Sequence, residues 1–267
     1  MKLAISGKGG VGKTTIAGCL AKVMSDNGYK VLAIDADPDS NLASALGIPQ
    51  DKMKNITPIA EMTRLIEERT GAKKGTFGGF FKLNPKVDDI PDKFYIENKD
   101  GIKLLVLGSV PQGGGGCFCP ENVLLKNLIR HLFLERKEAI IIDMEAGLEH
   151  LGRGSTAGID AFIVVVEPGI RSIQTAYHIK KLAADIGINR VYVVGNKVNS
   201  DEDVTFLKDE LKDFEFLGYL KFNMNIIKAD RENKAPYEID STILDEVKKI
   251  YGRLVEAIWG ELKVSWG

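Results

Sequence analysis

Residues 2–15 read KLAISGKGGVGKTT, an apolar strand that runs without pause into a glycine-rich loop and then into helix-forming sequence. Within it, GKGGVGKT (Gly7–Thr14) matches G-x-x-x-x-G-K-[ST], placed between strand and helix as the motif requires. The glycines allow backbone N–H groups to curl around phosphate oxygens. Lys13 supplies a point charge for the β- and γ-phosphates, and Thr14 offers a hydroxyl to Mg²⁺. Gly7, Lys8, Gly9, Gly10, Val11, Gly12, Lys13, Thr14 and Thr15 are therefore read as a nucleoside triphosphate site.

Outward from this loop, short apolar runs alternate with longer helical patterns. Strands are expected at 2–6, 30–34, 102–107, 139–143, 161–166, 190–195 and 215–220. Helices are expected at 14–27, 58–70, 120–134, 172–186, 203–212 and 241–262. Runs such as AIIID and AFIVVV are apolar throughout rather than alternating, the pattern of strands covered on both faces. The expectation is an α/β fold in a single domain over 1–267: a doubly wound, mostly parallel sheet with helices on both faces. The stretch from Gly71 to Gly101 is rich in Gly, Lys, Asp and Pro around Phe77, Phe80 and Phe81, and reads as an irregular surface insertion. In the last helix Tyr251, Leu254, Ile258 and Trp259 fall at helical spacing. A core-facing stripe is expected there rather than a membrane anchor, because the polar face mixes Glu with Lys and Arg.

Composition narrows the function class. The chain has 267 residues, 44% apolar and 27% charged, with a net charge of −1. That balance belongs to an ordinary globular protein and gives no electrostatic case for nucleic acid as partner. Neither a secretory leader nor an apolar run long enough to span a bilayer is found, so no membrane partner and a cytoplasmic location are expected.

Lys8, directly after the first glycine, carries a family resemblance. The string GKGGVGKTT resembles the deviant Walker A class of P-loop ATPases, which includes ParA, MinD and the nitrogenase iron protein. The likeness runs over nearly the whole chain. It implies an ATP-dependent homodimer in which Lys8 reaches across the interface to the partner's nucleotide. In LAIDADPDSNL, Asp35, Asp37 and Asp39 follow the second strand at the sheet edge where ligands bind. The resemblance gives Asp37 the role of orienting the attacking water. Asp35 is expected to support the Mg²⁺ shell or the loop, and Asp39 to cap the next helical turn. IIIDMEAG (Ile140–Gly147) reads as Walker B, with Asp143 toward Mg²⁺ and Glu145 as a γ-phosphate or dimer contact. In VVGNKVNS, Asn196 and Lys197 occupy the positions that read guanine in N-K-x-D, but the fourth residue is Asn199 rather than Asp. Loss of that acceptor favours adenine, ATP/ADP is the expected nucleotide, and the resemblance implies that Asn196 pairs with the adenine edge.

The chain contains three cysteines. Cys117 and Cys119 lie two apart in QGGGGCFCPENVLL, and Pro120 suits the first turn of a helix. A helix N-terminus favours thiolate, which binds soft or borderline metals. One pair gives only two of the four ligands of a closed site, so a twofold axis between two chains would complete it. The P-loop, DADPDS, this Cys-x-Cys and DMEAGLEHLGRG (Asp143–Gly154) together resemble the nickel-insertion accessory ATPases of carbon monoxide dehydrogenase maturation. That resemblance implies Ni²⁺ at Cys117 and Cys119, with Zn²⁺ an alternative at the same ligands. It also implies a nickel enzyme, carbon monoxide dehydrogenase or acetyl-CoA synthase, as client. A structural zinc site or a redox disulfide remains open for the pair. A ParA/MinD-like positioning ATPase and an iron–sulfur ATPase remain open for the chain. Cys19 reads as a core thiol, His131 and His178 as helix residues without a ligand partner, and His150 as a residue following switch II.

Overall fold

The computed structural model describes residues 1–54, 56–72, 80–108, 119–146 and 158–260. The described strands are β1 (Lys2–Gly7), β2 (Val31–Asp35), β3 (Ile96–Glu97), β4 (Lys103–Val106), β5 (Ala139–Asp143), β6 (Ala161–Val166), β7 (Val191–Val198) and β8 (Glu215–Lys221). The helices are α1 (Lys13–Asp26), α2 (Leu42–Ala45), α3 (Gln50–Met53), α4 (Thr63–Thr70), α5 (Ile90–Phe94), α6 (Pro120–Glu135), α7 (Ile170–Asp185), α8 (Asp201–Glu210), α9 (Met224–Arg231), α10 (Pro236–Ile239) and α11 (Ile243–Trp259). The strands form one sheet in the order β3-β4-β2-β5-β1-β6-β7-β8. Every pairing is parallel except β3 with β4.

The continuous apolar runs have a direct cause. Side chains alternate along a strand, so a strand covered on both faces must be apolar at every position. Leu3, Ile5, Ile141, Ile163 and Val165 enter the core beneath α1, α10 and α11. Their sequence neighbours Ala4, Ile140, Ile142, Phe162 and Val164 enter the core beneath α4, α6, α7 and α8. In α11 the buried stripe is Ile243, Val247, Ile250, Leu254 and Ile258. Tyr251 and Trp259 lie half-buried on its flank instead of in the stripe.

Register then positions the site. Pairing sets Ile5 opposite Asp143 and Asp143 opposite Asp35. Three neighbouring strands thus end at one level, and the P-loop rises from that carboxyl edge at β1, flanked by β5 and β6. This is the edge where open α/β sheets bind ligands.

Several sequence expectations need correction. The helix expected over 58–70 is broken: Ile59–Glu61 forms a 3₁₀ turn before α4. The insertion at 71–101 is not irregular throughout. Its described part carries α5 and the antiparallel edge strand β3. The Arg69 guanidinium takes both oxygens of Asp89 at 2.8 Å, and Arg136 takes those of Asp92 at 2.7 and 3.0 Å. Phe80 is fully exposed and Phe81 half-buried, while Phe77 lies outside the described residues. The short helices α2, α3, α9 and α10 had no clear periodic signal.

Leu20 in α1 is wholly buried against the sheet. Leu20→Ala should cost about 2–5 kcal/mol of stability from lost burial and the cavity left behind, measured by urea unfolding. A loss under about 0.5 kcal/mol would place α1 outside the core.

A nucleotide cleft at the carboxyl edge

The P-loop backbone is possible only with its glycines. Gly7 sits so close to β6 that a Cβ there would lie 2.4 Å from the Val165 carbonyl oxygen. Gly12 has φ +95°, and a Cβ on it would lie 2.2 Å from Asn196 Nδ2. Left-handed backbone is costly for other residues. Gly12 precedes the first residue of α1, so the loop delivers its N–H groups and the helix N-terminus into one concave surface. Val11 is fully buried and anchors the loop from below.

Lys13 is buried, with Nζ 3.5 Å from Asp37 Oδ2. Their side chains are only 7% and 11% exposed, so each charge relies on the other where water cannot help. Asp35 is completely buried and accepts the N–H groups of Leu42 at 3.0 Å and Asp37 at 3.2 Å. Burial pushes its carboxyl up to about 6 against the lowering pull of those two donors. Asp35 therefore holds the loop between β2 and α2, the second of its two expected roles. Asp39 does not cap α2 as expected. The buried Leu42 N–H points to Asp35, while Asp39, exposed, donates its own N–H to Asp37 Oδ1 at 3.0 Å.

Asp143 is the third carboxylate of this edge and is wholly buried. Burial raises its pKa to about 7; the nearby Thr14 hydroxyl pulls it down, and Asp35 pushes it further up. Among the described residues neither Asp143 oxygen has a partner in hydrogen-bonding geometry. Two orphaned acceptors beside a threonine hydroxyl are a donor set of hard oxygens, which fits Mg²⁺. Glu145 follows at the rim, its carbonyl accepting from Ser6 Oγ at 2.6 Å.

From the loop a cleft of about 610 Å³ runs past Asn196 and Lys197 to Phe222, Asn223 and Ile226, beyond the carboxyl end of β8. Asn196 is buried and donates Nδ2 to the Val11 carbonyl at 2.7 Å, bracing the P-loop. Lys197 has φ +57°, and its Nζ donates to the Gly10 carbonyl at 2.6 Å and to Glu167 at 3.1 Å. Asn199 turns its side-chain amide back onto the Lys197 carbonyl at 3.3 Å, and its own N–H goes to Asp203 in the cap of α8. Lys8 lies with Nζ 3.5 Å from Glu167 Oε1.

Glu167, Phe222 and Asn223 were not singled out from sequence. Glu167 had a signal: it follows the apolar run AFIVVV just as Asp35 and Asp143 follow the apolar runs VLAI and AIII. Cys119 stands at the N-cap of α6 with Pro120 in the first turn, as the sequence suggested. Cys117, His150 and the 147–154 part of the switch II string lie outside the described residues. Cys19 is buried in α1, with its thiol pushed up to about 12 by burial. His131 pairs with Glu135 at 3.1 Å within α6, and His178 is exposed on α7. Among the described residues no helix is long and apolar enough to cross a membrane.

Comparison with known proteins agrees with this geometry. The CobQ/CobB/MinD/ParA nucleotide binding domain family matches residues 2–237. The carbon monoxide dehydrogenase accessory protein CooC of Rhodospirillum rubrum is 46% identical, covering 97% of each chain. An uncharacterised ATP-binding protein of Methanocaldococcus jannaschii is 45% identical over 96% of this chain and 98% of its own. Among solved structures, the MinC:MinD cell division complex of Aquifex aeolicus superposes with a TM-score of 0.66 at 20% identity, covering 95% of both chains. A ParA family ATPase of Chlorobium tepidum gives 0.66 at 16% identity, covering 95% of this chain and 98% of its own. Those two share the fold, and the deviant Walker A lysine is in place at Lys8. The chain belongs to the CobQ/CobB/MinD/ParA family and is a P-loop ATPase of that family.

Proposed function

We propose that this chain is an Mg²⁺-dependent ATPase of carbon monoxide dehydrogenase maturation. Two copies pair across their nucleotide faces, Ni²⁺ is carried at Cys117 and Cys119, and a nickel enzyme receives it. The observation that carries the metal half is Cys119 at the N-terminus of α6, within a Cys-x-Cys of a chain 46% identical to the accessory protein along nearly its full length. Two thiolates supply half of a four-ligand site, so two paired chains would supply the whole. The client is carbon monoxide dehydrogenase or the related acetyl-CoA synthase, and Zn²⁺ can compete for the same thiolates.

The ATPase half follows from how the cleft's own groups are placed. Lys13 leaves Asp37 for the β- and γ-phosphates, which frees the Asp37 carboxylate to orient a water for attack on the γ-phosphorus. Asp143 and Thr14 would hold Mg²⁺, which supplies charge neutralisation on the phosphate oxygens. Asn196 and Lys197 keep the P-loop in shape, and Asn199 offers no carboxylate to a guanine. Adenine is accordingly the base assigned to the far end of the cleft. Lys8 reaches the partner's phosphates when two copies pair.

Lys13→Ala should lose roughly 10²-fold or more in ATP affinity by calorimetry, because it also leaves Asp37 buried without its partner. Affinity within twofold of the parent would move the phosphate site elsewhere. Asp37→Ala should bind ATP yet hydrolyse it about 10²- to 10⁴-fold more slowly and accumulate as an ATP-bound dimer. Normal turnover would assign water positioning to another residue. Anaerobic titration of reduced, metal-free protein should give one tightly bound Ni²⁺ per two chains. The Cys117→Ser/Cys119→Ser variant should lose that binding while keeping ATP. Nickel affinity that survives in the double variant would discard these ligands.

A further inference from the structure

Glu167 follows β6 in a turn fixed by its own N–H, which donates to the buried Ser172 Oγ at 3.1 Å. Its two oxygens serve two different lysines. Oε2 lies 3.1 Å from Lys197 Nζ, and Oε1 lies 3.5 Å from Lys8 Nζ. Lys197 has a second acceptor in the Gly10 carbonyl at 2.6 Å. One carboxylate from β6 therefore holds both the second residue of the P-loop and the lysine that clasps the loop's tip.

The two contacts differ in strength. Lys197 is held by two short bonds. Lys8 has one long one, with its side chain 37% exposed and that of Glu167 26% exposed. A single negative charge is shared between two ammonium groups, so Lys8 is only partly compensated. Exposed pairs of this kind contribute little and are easily exchanged. Phosphate oxygens are stronger acceptors for a lysine than a shared, half-solvated carboxylate. The chain's own cleft already holds one buried lysine, Lys13, with its Nζ on Asp37.

We propose that Glu167 is a positioning residue that parks Lys8 on its own chain. Two copies then pair only by breaking the Lys8–Glu167 contact in each and handing the ammonium group to the partner's phosphates. This rests on the reading that the copies pair across their nucleotide faces with Lys8 in trans. Glu167 thus sets a threshold: it opposes pairing before a phosphate-bearing partner is present.

Pairing of the full chain is measured by sedimentation with Mg²⁺ and a non-hydrolysable ATP analogue, at low and at 1 M salt. Glu167→Gln keeps the size of the side chain and removes its charge. With two contacts released per dimer, its dissociation constant at low salt should fall about two- to tenfold below the parent's. That difference should shrink at 1 M salt, where the parent's contact is screened, a dependence that a merely structural role would not show. Glu167→Asp, which retains the charge, should stay near the parent, and Glu167→Ala should follow Gln. In Lys8→Ala protein the Gln change should bring no tightening. If the parent pairs in a Lys8-dependent way but Glu167→Gln and Glu167→Ala pair equally or more weakly, the parking role is overturned and the pairing reading stands. If the parent fails to pair with nucleotide at all, the pairing reading falls and the parking role falls with it.

Discussion

Two carboxylates stand side by side at the ends of adjacent parallel strands, and neither touches solvent. A buried charge is tolerable only where hydrogen bonds or a counter-charge replace water, and the nucleotide edge is arranged around that demand. Asp35 meets it from within the chain by drawing in two backbone N–H groups, which fixes the path from β2 into α2. Asp143 has the Thr14 hydroxyl and the Lys13 charge nearby, but neither of its oxygens has a partner in hydrogen-bonding geometry among the described residues. The contrast separates their roles: the first is occupied with structure, the second is available to a cation. The parallel register makes the comparison unavoidable, since it sets the two residues opposite each other while Lys13 at the start of α1 and Asp37 in the loop after β2 pair beside them.

The same register explains why so much of the fold was legible in the sequence. The runs AIII of β5 and AFIVVV of β6 are apolar at every position because helices cover both faces, and their short length and β-branched content mark them as strands. The P-loop was legible because glycine at 7 and 12 is required by the backbone, not by taste for turns. What escaped has physical reasons too. β3 is two residues long and exists through its antiparallel contact with β4, which no local pattern announces. α9 and α10 are short elements held by Asn223, Asp240 and Glu238 rather than by periodicity. The role of Asp39 was misjudged because capping was assigned by nearness in sequence, whereas Asp35, seven residues upstream of Leu42, was the carboxylate within reach.

At the site, residue types were read more readily than partnerships. Asn196 was expected at the adenine edge and Lys197 beside the nucleotide, and sequence did not show that Asn196 Nδ2 and Lys197 Nζ also brace the P-loop carbonyls of Val11 and Gly10. Sequence gives Lys8 its family resemblance but not where it rests in a single chain. That depends on Glu167, which lies 159 residues away. Long-range contacts of this kind are created by strand order: β6 is the immediate neighbour of β1, so residues far apart in the chain meet at their ends.

The clasp on the P-loop has a thermodynamic consequence. Gly7 is packed on the Val165 carbonyl, Val11 is sunk in the core, and the carbonyls of Gly10 and Val11 are taken by side chains from β7. The loop therefore acquires its shape when the domain folds and does not wait for a ligand. Much of the conformational entropy that a mobile phosphate-binding loop would surrender at each encounter is lost once, during folding. Successive rounds of nucleotide arrival and departure can then proceed on a surface that is already formed.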